Sequence, residues 1–67
     1  MIITLNNRTE ELEKDKITIQ ELLDIKKFSF KMLVVKHNDI LIKRHAYEST
    51  VVKNGDIVTV LHLMSGG

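Results

Sequence analysis

Apolar residues fall in short, separated groups along this chain, and their spacing changes from group to group. Residues 1–5 are apolar and partly β-branched and run into Asn6-Asn7. This reads as a strand followed by a tight turn, because Asn tolerates positive φ. Residues 8–12 form the returning strand of a hairpin. Glu10, Glu11, Glu13 and Asp15 supply its polar side and the loop beyond, and Ile17 re-enters the core. Thr18-Ile-Gln-Glu21 has the form of a capping box, with the Thr hydroxyl taking the Glu backbone N–H and the Glu carboxylate reaching back. Ile19, Leu22, Leu23 and Ile25 continue at helical spacing, which predicts a helix over 19–27. Lys26 and Lys27 then sit at the negative end of its dipole.

Beyond the connector Phe28-Ser-Phe30 the pattern becomes extended. Residues 32–37 read as a strand, Asn38-Asp39 as a turn and 40–42 as a short apolar strand. Residues 43–49 are polar and are expected to loop over the surface. A short extended piece at 50–52 leads to Asn54-Gly55-Asp56, a strong turn in which Gly is free to take positive φ. Residues 57–63 form the last strand and 64–67 leave it as a flexible tail. A hairpin, one helix and further strands make an α+β domain with the helix on one face of a mixed four- to five-stranded sheet. In a sheet of this order the first and last strands can lie parallel at the centre, which is the β-grasp arrangement, with the domain over 1–63 and the tail over 64–67. Two registers of the last strand remain open. One turns Val58 and Val60 to the helix and Thr59, Leu61 and Leu63 outward; the other buries Ile57, Leu61 and Leu63 together with Thr59.

Length and composition narrow the function classes. Sixty-seven residues, 43% of them apolar, make one domain with a thin core and leave little room for a buried catalytic cleft. The absence of cysteine excludes disulfides, thiolate metal sites and a cysteine nucleophile. A formal charge of +1 asks for neither nucleic acid nor an anionic membrane. No run approaches the roughly 18 apolar residues of a membrane span, and no signal peptide is visible, so a soluble cytoplasmic domain is expected. His37, His45 and His62 match no zinc spacing. His37 and His62, both on expected strands, could meet across the sheet as a metal site or general base, although structural histidines are the better reading. Lys43, Arg44 and His45 form a small basic cluster, which suits an acidic partner or, more simply, a solvated loop.

The end of the chain carries the most chemistry. Of three glycines, Gly66 and Gly67 are the last two residues; at ordinary Gly usage a chance terminal pair arises about 0.5% of the time. A tail of Ser65-Gly66-Gly67 carries little side-chain bulk and can thread a channel that a Cβ would block. It delivers one group, the Gly67 carboxylate, which becomes an acyl donor only after activation, for example as an acyl-adenylate. With no phosphate-binding loop in the chain, that activation would come from a partner enzyme. The same residues also fit an ordinary terminal segment. Ile2, Leu61 and Leu63 suggest an exposed apolar patch beside the tail; in the other register they are simply core.

Asn38-Asp-Ile-Leu-Ile-Lys-Arg44, Tyr47-Glu-Ser-Thr50, Lys53-Asn-Gly-Asp56, Val58-Thr-Val-Leu-His62 and the terminal Gly66-Gly67, in this order and spacing, resemble the ThiS family of thiamine-pathway sulfur carriers. Asp39 stands where the family often has glycine, Lys43 where it often has proline, and Ser65 where a further small residue is frequent. The resemblance implies a β-grasp fold and a carrier that is a co-substrate and not an enzyme. It implies that an E1-like adenylyltransferase (ThiF-like) spends ATP with Mg²⁺ to adenylate Gly67. A sulfur donor protein then makes the thiocarboxylate, and thiazole synthase (ThiG-like) takes the sulfur. No cofactor is bound by the carrier itself. Gly67 is then the chemical site, Gly66 and Ser65 its tail, and Leu61, Leu63, Ile2 and Arg44 the candidate docking residues. The same tail would also suit a carrier for molybdopterin or tRNA thiolation, or a ubiquitin-like modifier. From another class, a TGS-like RNA-binding module would make the tail irrelevant, but the near-neutral charge and 4% aromatic content speak against it.

Overall fold

Left-handed residues mark where the chain reverses. Asn6 and Asn7 have φ of 51° and 66°, and Asn38 and Asp39 have 50° and 69°. Two successive left-handed residues give the turn whose twist matches that of the strands it joins. They close two hairpins, β1 (Ile2–Leu5) with β2 (Arg8–Glu11) and β4 (Leu33–His37) with β5 (Ile40–Ile42). Between the hairpins lie β3 (Lys16–Thr18) and the helix α1 (Ile19–Ile25); after them come a 3-10 turn (Arg44–Ala46), β6 (Val51–Lys53) and β7 (Ile57–His62). The structure, a computed structural model, describes residues 1–28 and 32–62. Phe30, Leu63 and the expected tail lie outside the described residues.

The main sheet has the order β2-β1-β7-β4-β5, with β1 and β7 parallel at its centre, Thr4 beside Ile57 and Leu5 beside Val58. The other neighbours run antiparallel. With the helix packed on it, this is the β-grasp fold. β3 and β6 make a separate two-stranded ladder, with Ile17 beside Val52. Both side chains are almost fully buried. Sequence periodicity does not reveal β3, because a three-residue strand is shorter than one recognisable alternation.

Three turn asparagines extend the ladder of the central strands. The Asn54 carboxamide oxygen accepts the Ile2 N–H at 2.7 Å, and that of Asn38 accepts the Ile57 N–H at 2.8 Å. Asn6 donates its backbone N–H to the Val58 carbonyl and takes the Val60 N–H on its side chain at 2.7 Å. Carboxamides thus replace backbone acceptors where the partner strand has already turned away.

The capping box forms as the sequence predicts. Thr18 Oγ1 accepts the Glu21 N–H at 3.1 Å, and Glu21 Oε1 accepts the Thr18 N–H at 3.0 Å. The helix, however, ends at Ile25 and not at 27. Phe28 donates its N–H to the Leu23 carbonyl and Lys27 to that of Asp24, with Lys27 at φ 59°. This is a Schellman ending in which a lysine occupies the left-handed position usually given to glycine. Phe28 supplies its apolar contact by packing on the core. Lys26 reaches the edge strand β2, its Nζ 2.9 Å from Glu10 Oε1.

The core comprises Ile3 and Leu5 of β1, Ile17, helix residues Ile19, Leu22 and Leu23, then Val35, Tyr47, Val52, Val58 and Val60. Burying each large side chain contributes about 1.5–3 kcal/mol. Val58 at 0% and Val60 at 5% exposure against Leu61 at 52% settle the register of β7: the valines face the helix and Leu61 faces out. The alternative would have set Thr59 among the core apolar groups. Tyr47 corrects the picture of 43–49 as a purely surface loop. It is buried, and its carbonyl accepts the Gln20 N–H at 2.9 Å while Thr50 takes that of Ile19. The segment is tied down because it satisfies the open N–H groups at the start of the helix.

Candidate functional site

The tail, Ser65, Gly66 and Gly67, together with Leu63, lies outside the described residues; what the structure shows is the surface from which the chain leads to it. β7 is the middle strand of the main sheet, and its end at His62 pairs with Leu33 of β4. Among the described residues its ladder with β1 reaches Val58, and the Asn6 carboxamide extends that side by one bond to the Val60 N–H.

Strand alternation assigns the residues around this exit to faces. Val58 and Val60 look to the helix, so Ile57, Thr59 and Leu61 look to the open face. Leu61 stands across from Val34, and in the next row Thr59 stands across from Lys36, which stands across from Leu41. Leu61, Leu41 and neighbouring Met32 are each more than half exposed. Leu61 and Val34, with Lys36 and Leu41 in the next row and Met32 just before β4, therefore make a largely apolar surface beside the end of β7. Val34, Met32 and Leu41 are not evident from the sequence alone. The alternation of Met32, Val34 and Lys36 is visible there, but only the register between β4, β5 and β7 brings them and Leu41 to the same face as Leu61.

Ile2 does not belong to this surface. It is exposed and on the same face, but its carbonyl accepts the Gly55 N–H at 2.8 Å, six residues back along β7 from Leu61. At about 3.3 Å per residue the two are on the order of 20 Å apart. The expected patch of Ile2, Leu61 and Leu63 is thus divided, since parallel pairing puts the start of β1 at the start of β7. Arg44 falls on the useful side. Ile42 pairs with Val35 and Val35 with Val60, so the exposed 3-10 turn that begins at Arg44 lies at the end where β7 finishes.

His37 and His62 do not meet. His62 is opposite Leu33 and His37 opposite Val58, at the two ends of the β4–β7 pair. His37 instead pairs with Asp56, Nε2 to Oδ2 at 2.7 Å, both side chains less than one-fifth exposed. The same Asp56 oxygen accepts the Lys53 N–H at 2.9 Å. Burial pushes the Asp56 carboxyl up. The bonds from His37, from the Lys53 backbone and from Asn38 outweigh it, so the group titrates below the ordinary carboxylate value. Among the described residues no three His, Cys, Asp or Glu side chains are grouped to hold a metal ion. No helix of the described residues is long and apolar enough to cross a membrane.

The ThiS family model matches residues 2–67, a span that takes in Gly66 and Gly67. The crystal structure of the thiamine biosynthesis protein (ThiS) from Geobacter metallireducens is similar over 100% of both chains, with 30% sequence identity and a TM-score of 0.90. A solution NMR structure of a thiamine biosynthesis protein from Geobacter metallireducens is similar over 100% of this chain and 88% of that one, with 30% identity and a TM-score of 0.82. No curated protein matches the chain.

Proposed function

The chain belongs to the ThiS family, and we propose on that premise that it is a sulfur carrier of thiamine biosynthesis, a co-substrate and not an enzyme. The observation that carries this reading is the family match over residues 2–67, which takes in the terminal Gly66-Gly67. The Gly67 carboxylate attacks the α-phosphorus of ATP on an E1-like adenylyltransferase, with that enzyme's Mg²⁺. Pyrophosphate leaves and an acyl-adenylate forms. The persulfide of a donor protein then displaces AMP at the Gly67 carbonyl carbon to give an acyl disulfide, and a thiol attacks the donor-side sulfur, forming a new disulfide there and releasing the thiocarboxylate. Thiazole synthase is the acceptor that takes this sulfur.

Each part of the chain has a role in that sequence. Gly67 supplies the reacting carboxylate. Gly66 and Ser65 carry little side-chain bulk, so the end of the chain fits a narrow channel in the partner. Leu61, with Val34, Met32 and Leu41 around it, offers the apolar contact at the base of the tail. Leu63, two residues further along the sequence, is a further candidate contact, and Arg44 adds a positive charge at the end where β7 finishes. Ile2, about 20 Å away on the same face, is left for a separate contact or none.

The test is an intact-mass measurement on the native-ended chain after incubation with ATP, Mg²⁺, the E1-like partner and a sulfide source. Replacement of one oxygen by sulfur at Gly67 is expected, followed by its loss when thiazole synthase and its substrates are added. Deleting Gly67 should abolish the mass change and leave the folded spectrum intact. An unchanged mass with a partner that demonstrably activates another carrier would overturn the reading.

A further inference from the structure

The two edges of the main sheet are built differently. On one edge β2 reads Arg-Thr-Glu-Glu, with the charged side chains that discourage edge-to-edge pairing. On the other, β5 reads Ile-Leu-Ile, with Ile40 65% and Leu41 51% exposed. Among the described residues no strand pairs with its outer side. The hairpin fixes where its peptide groups point. The Asn38 N–H donates to the Ile57 carbonyl, toward β7, so the peptide groups of His37 and Val35 turn the other way, toward Ile40 and Ile42. Leu41, opposite Lys36, then directs its N–H and C=O out of the sheet edge.

We propose that β5 pairs antiparallel with β5 of a second copy about a two-fold axis through Leu41, joining two sheets into one. The segment Asp39-Ile-Leu-Ile-Lys43 is matched to its own reverse. Turned on itself, it sets Leu41 against Leu41, which exchange both backbone hydrogen bonds. Ile40 lies beside Ile42 of the other copy, and Asp39, the last residue of the turn before β5, comes near Lys43 at both ends. A parallel alignment would set Asp39 against Asp39 and Lys43 against Lys43, so charge selects the antiparallel one. Lys43 keeps an extended backbone, φ −77° and ψ 154°, and carries the strand geometry one residue past Ile42. The β2 edge is a poor alternative occupant. It would lay carboxylates against the isoleucines, and such a head-to-tail contact does not close on itself. The paired surface is far below the ~1,600 Å² of a standard interface, so the association is weak and reversible. It stands independently of the carrier reading.

The test combines sedimentation velocity from about 10 µM to 1 mM protein with amide hydrogen exchange over the same range. The average mass is expected to rise above 7.7 kDa as concentration increases. The Leu41 amide should slow at least about tenfold at the top of the range, as an N–H drawn into a ladder does. Thr9, the outward position of the β2 hairpin, should not change. Leu41→Lys, at an exposed site outside the core, should keep the monomer spectrum and abolish association. Lys43→Glu, which sets like charges together, should weaken it by about threefold or more. A chain that stays monomeric at 1 mM overturns the proposal. So does association that survives Leu41→Lys, or that leaves the Leu41 amide unprotected.

Discussion

The two ends of the β4–β7 pair use opposite chemistry. At the turn end, Asn38, Asn54 and Asp56 place their side-chain oxygens on backbone N–H groups of Ile57, Ile2 and Lys53, and His37 adds its bond to Asp56. At the other end Leu61 and Met32 stand more than half exposed, with Val34 opposite Leu61. The first end fixes the register of three strands through directional bonds that are costly to leave unmade. The second presents apolar surface that gains free energy only when something covers it. One end therefore holds the fold and the other is available for a partner, so substitutions at the two should separate stability from recognition.

The largest separation is expected from Leu61→Asp. The side chain is exposed, so the change should leave stability within about 0.5 kcal/mol. If the proposed docking holds, a charge placed in the middle of this surface weakens binding to the E1-like enzyme by about tenfold or more. Thermal unfolding and KM for the carrier measure the two sides. An equal loss of stability would mean that Leu61 serves the fold, and the comparison between the ends would fail.

Asn38 tests the other end in the opposite sense. Asn38→Ala removes the acceptor for the Ile57 N–H and puts alanine at φ 50°. Together these should cost about 1.5–3 kcal/mol. Asn38→Gly relieves the backbone but still loses the acceptor, so it should fall between alanine and the parent. Denaturant midpoints give the order, and KM for the partner should not move in the glycine variant. A glycine variant as stable as the parent would show that the carboxamide adds nothing beyond its tolerance of the turn.

How much of this was legible in the sequence depended on whether a feature is local. The Asn6-Asn7 and Asn38-Asp39 turns, the capping box and the Gly55 turn are properties of a few consecutive residues, and each stands where the sequence predicts it. Parallel pairing of the first and last strands also follows, because the order of elements leaves few other ways to cover one helix. Pairings between distant short segments do not follow. Thus the pairing of β3 with β6, the burial of Tyr47 and the separation of Ile2 from Leu61, which parallel pairing sends to opposite ends, are not visible in the sequence. The exposed apolar surface proposed for docking is half legible in the sequence. Leu61 came from alternation, but Val34 and Leu41 required the register of three strands. The helix end was misplaced because a lysine, not a glycine, occupies the left-handed position.

Acid should act on the turn end first. Asp56 titrates below its ordinary value in the folded chain because His37, the Lys53 backbone and Asn38 together outweigh the effect of burial. A group whose folded value is depressed stabilises the fold above its unfolded value. That contribution is lost as pH falls through the folded value. Glu21, held down chiefly by the Thr18 backbone N–H, acts in the same direction at the helix start. Stability should therefore decline below about pH 4, where free carboxylates begin to protonate. Asp56→Asn should lower stability at neutral pH and flatten that decline, which unfolding midpoints from pH 7 to about pH 3 would reveal. An undiminished slope in the variant would assign the acid sensitivity to other groups.

The smallest expected effect is a gain, and it lies away from both ends. Lys27 holds φ 59° at the Schellman ending of the helix. A left-handed non-glycine residue costs roughly 1–2 kcal/mol, while glycine costs about 0.5–1 kcal/mol in chain entropy. Lys27→Gly should therefore stabilise the fold by about 0.5–1 kcal/mol. The helix carries neither the Asn38–Asp56 bonds nor the Leu61 surface, so KM for the partner should be unchanged. Combined with Asn38→Ala, the gain should add to the loss, because the two sites share no hydrogen-bond partner. A non-additive pair would mean that the helix end and the turn end are coupled through the core. The division of the molecule into a holding end and a docking end would then have to give way to a single cooperative unit.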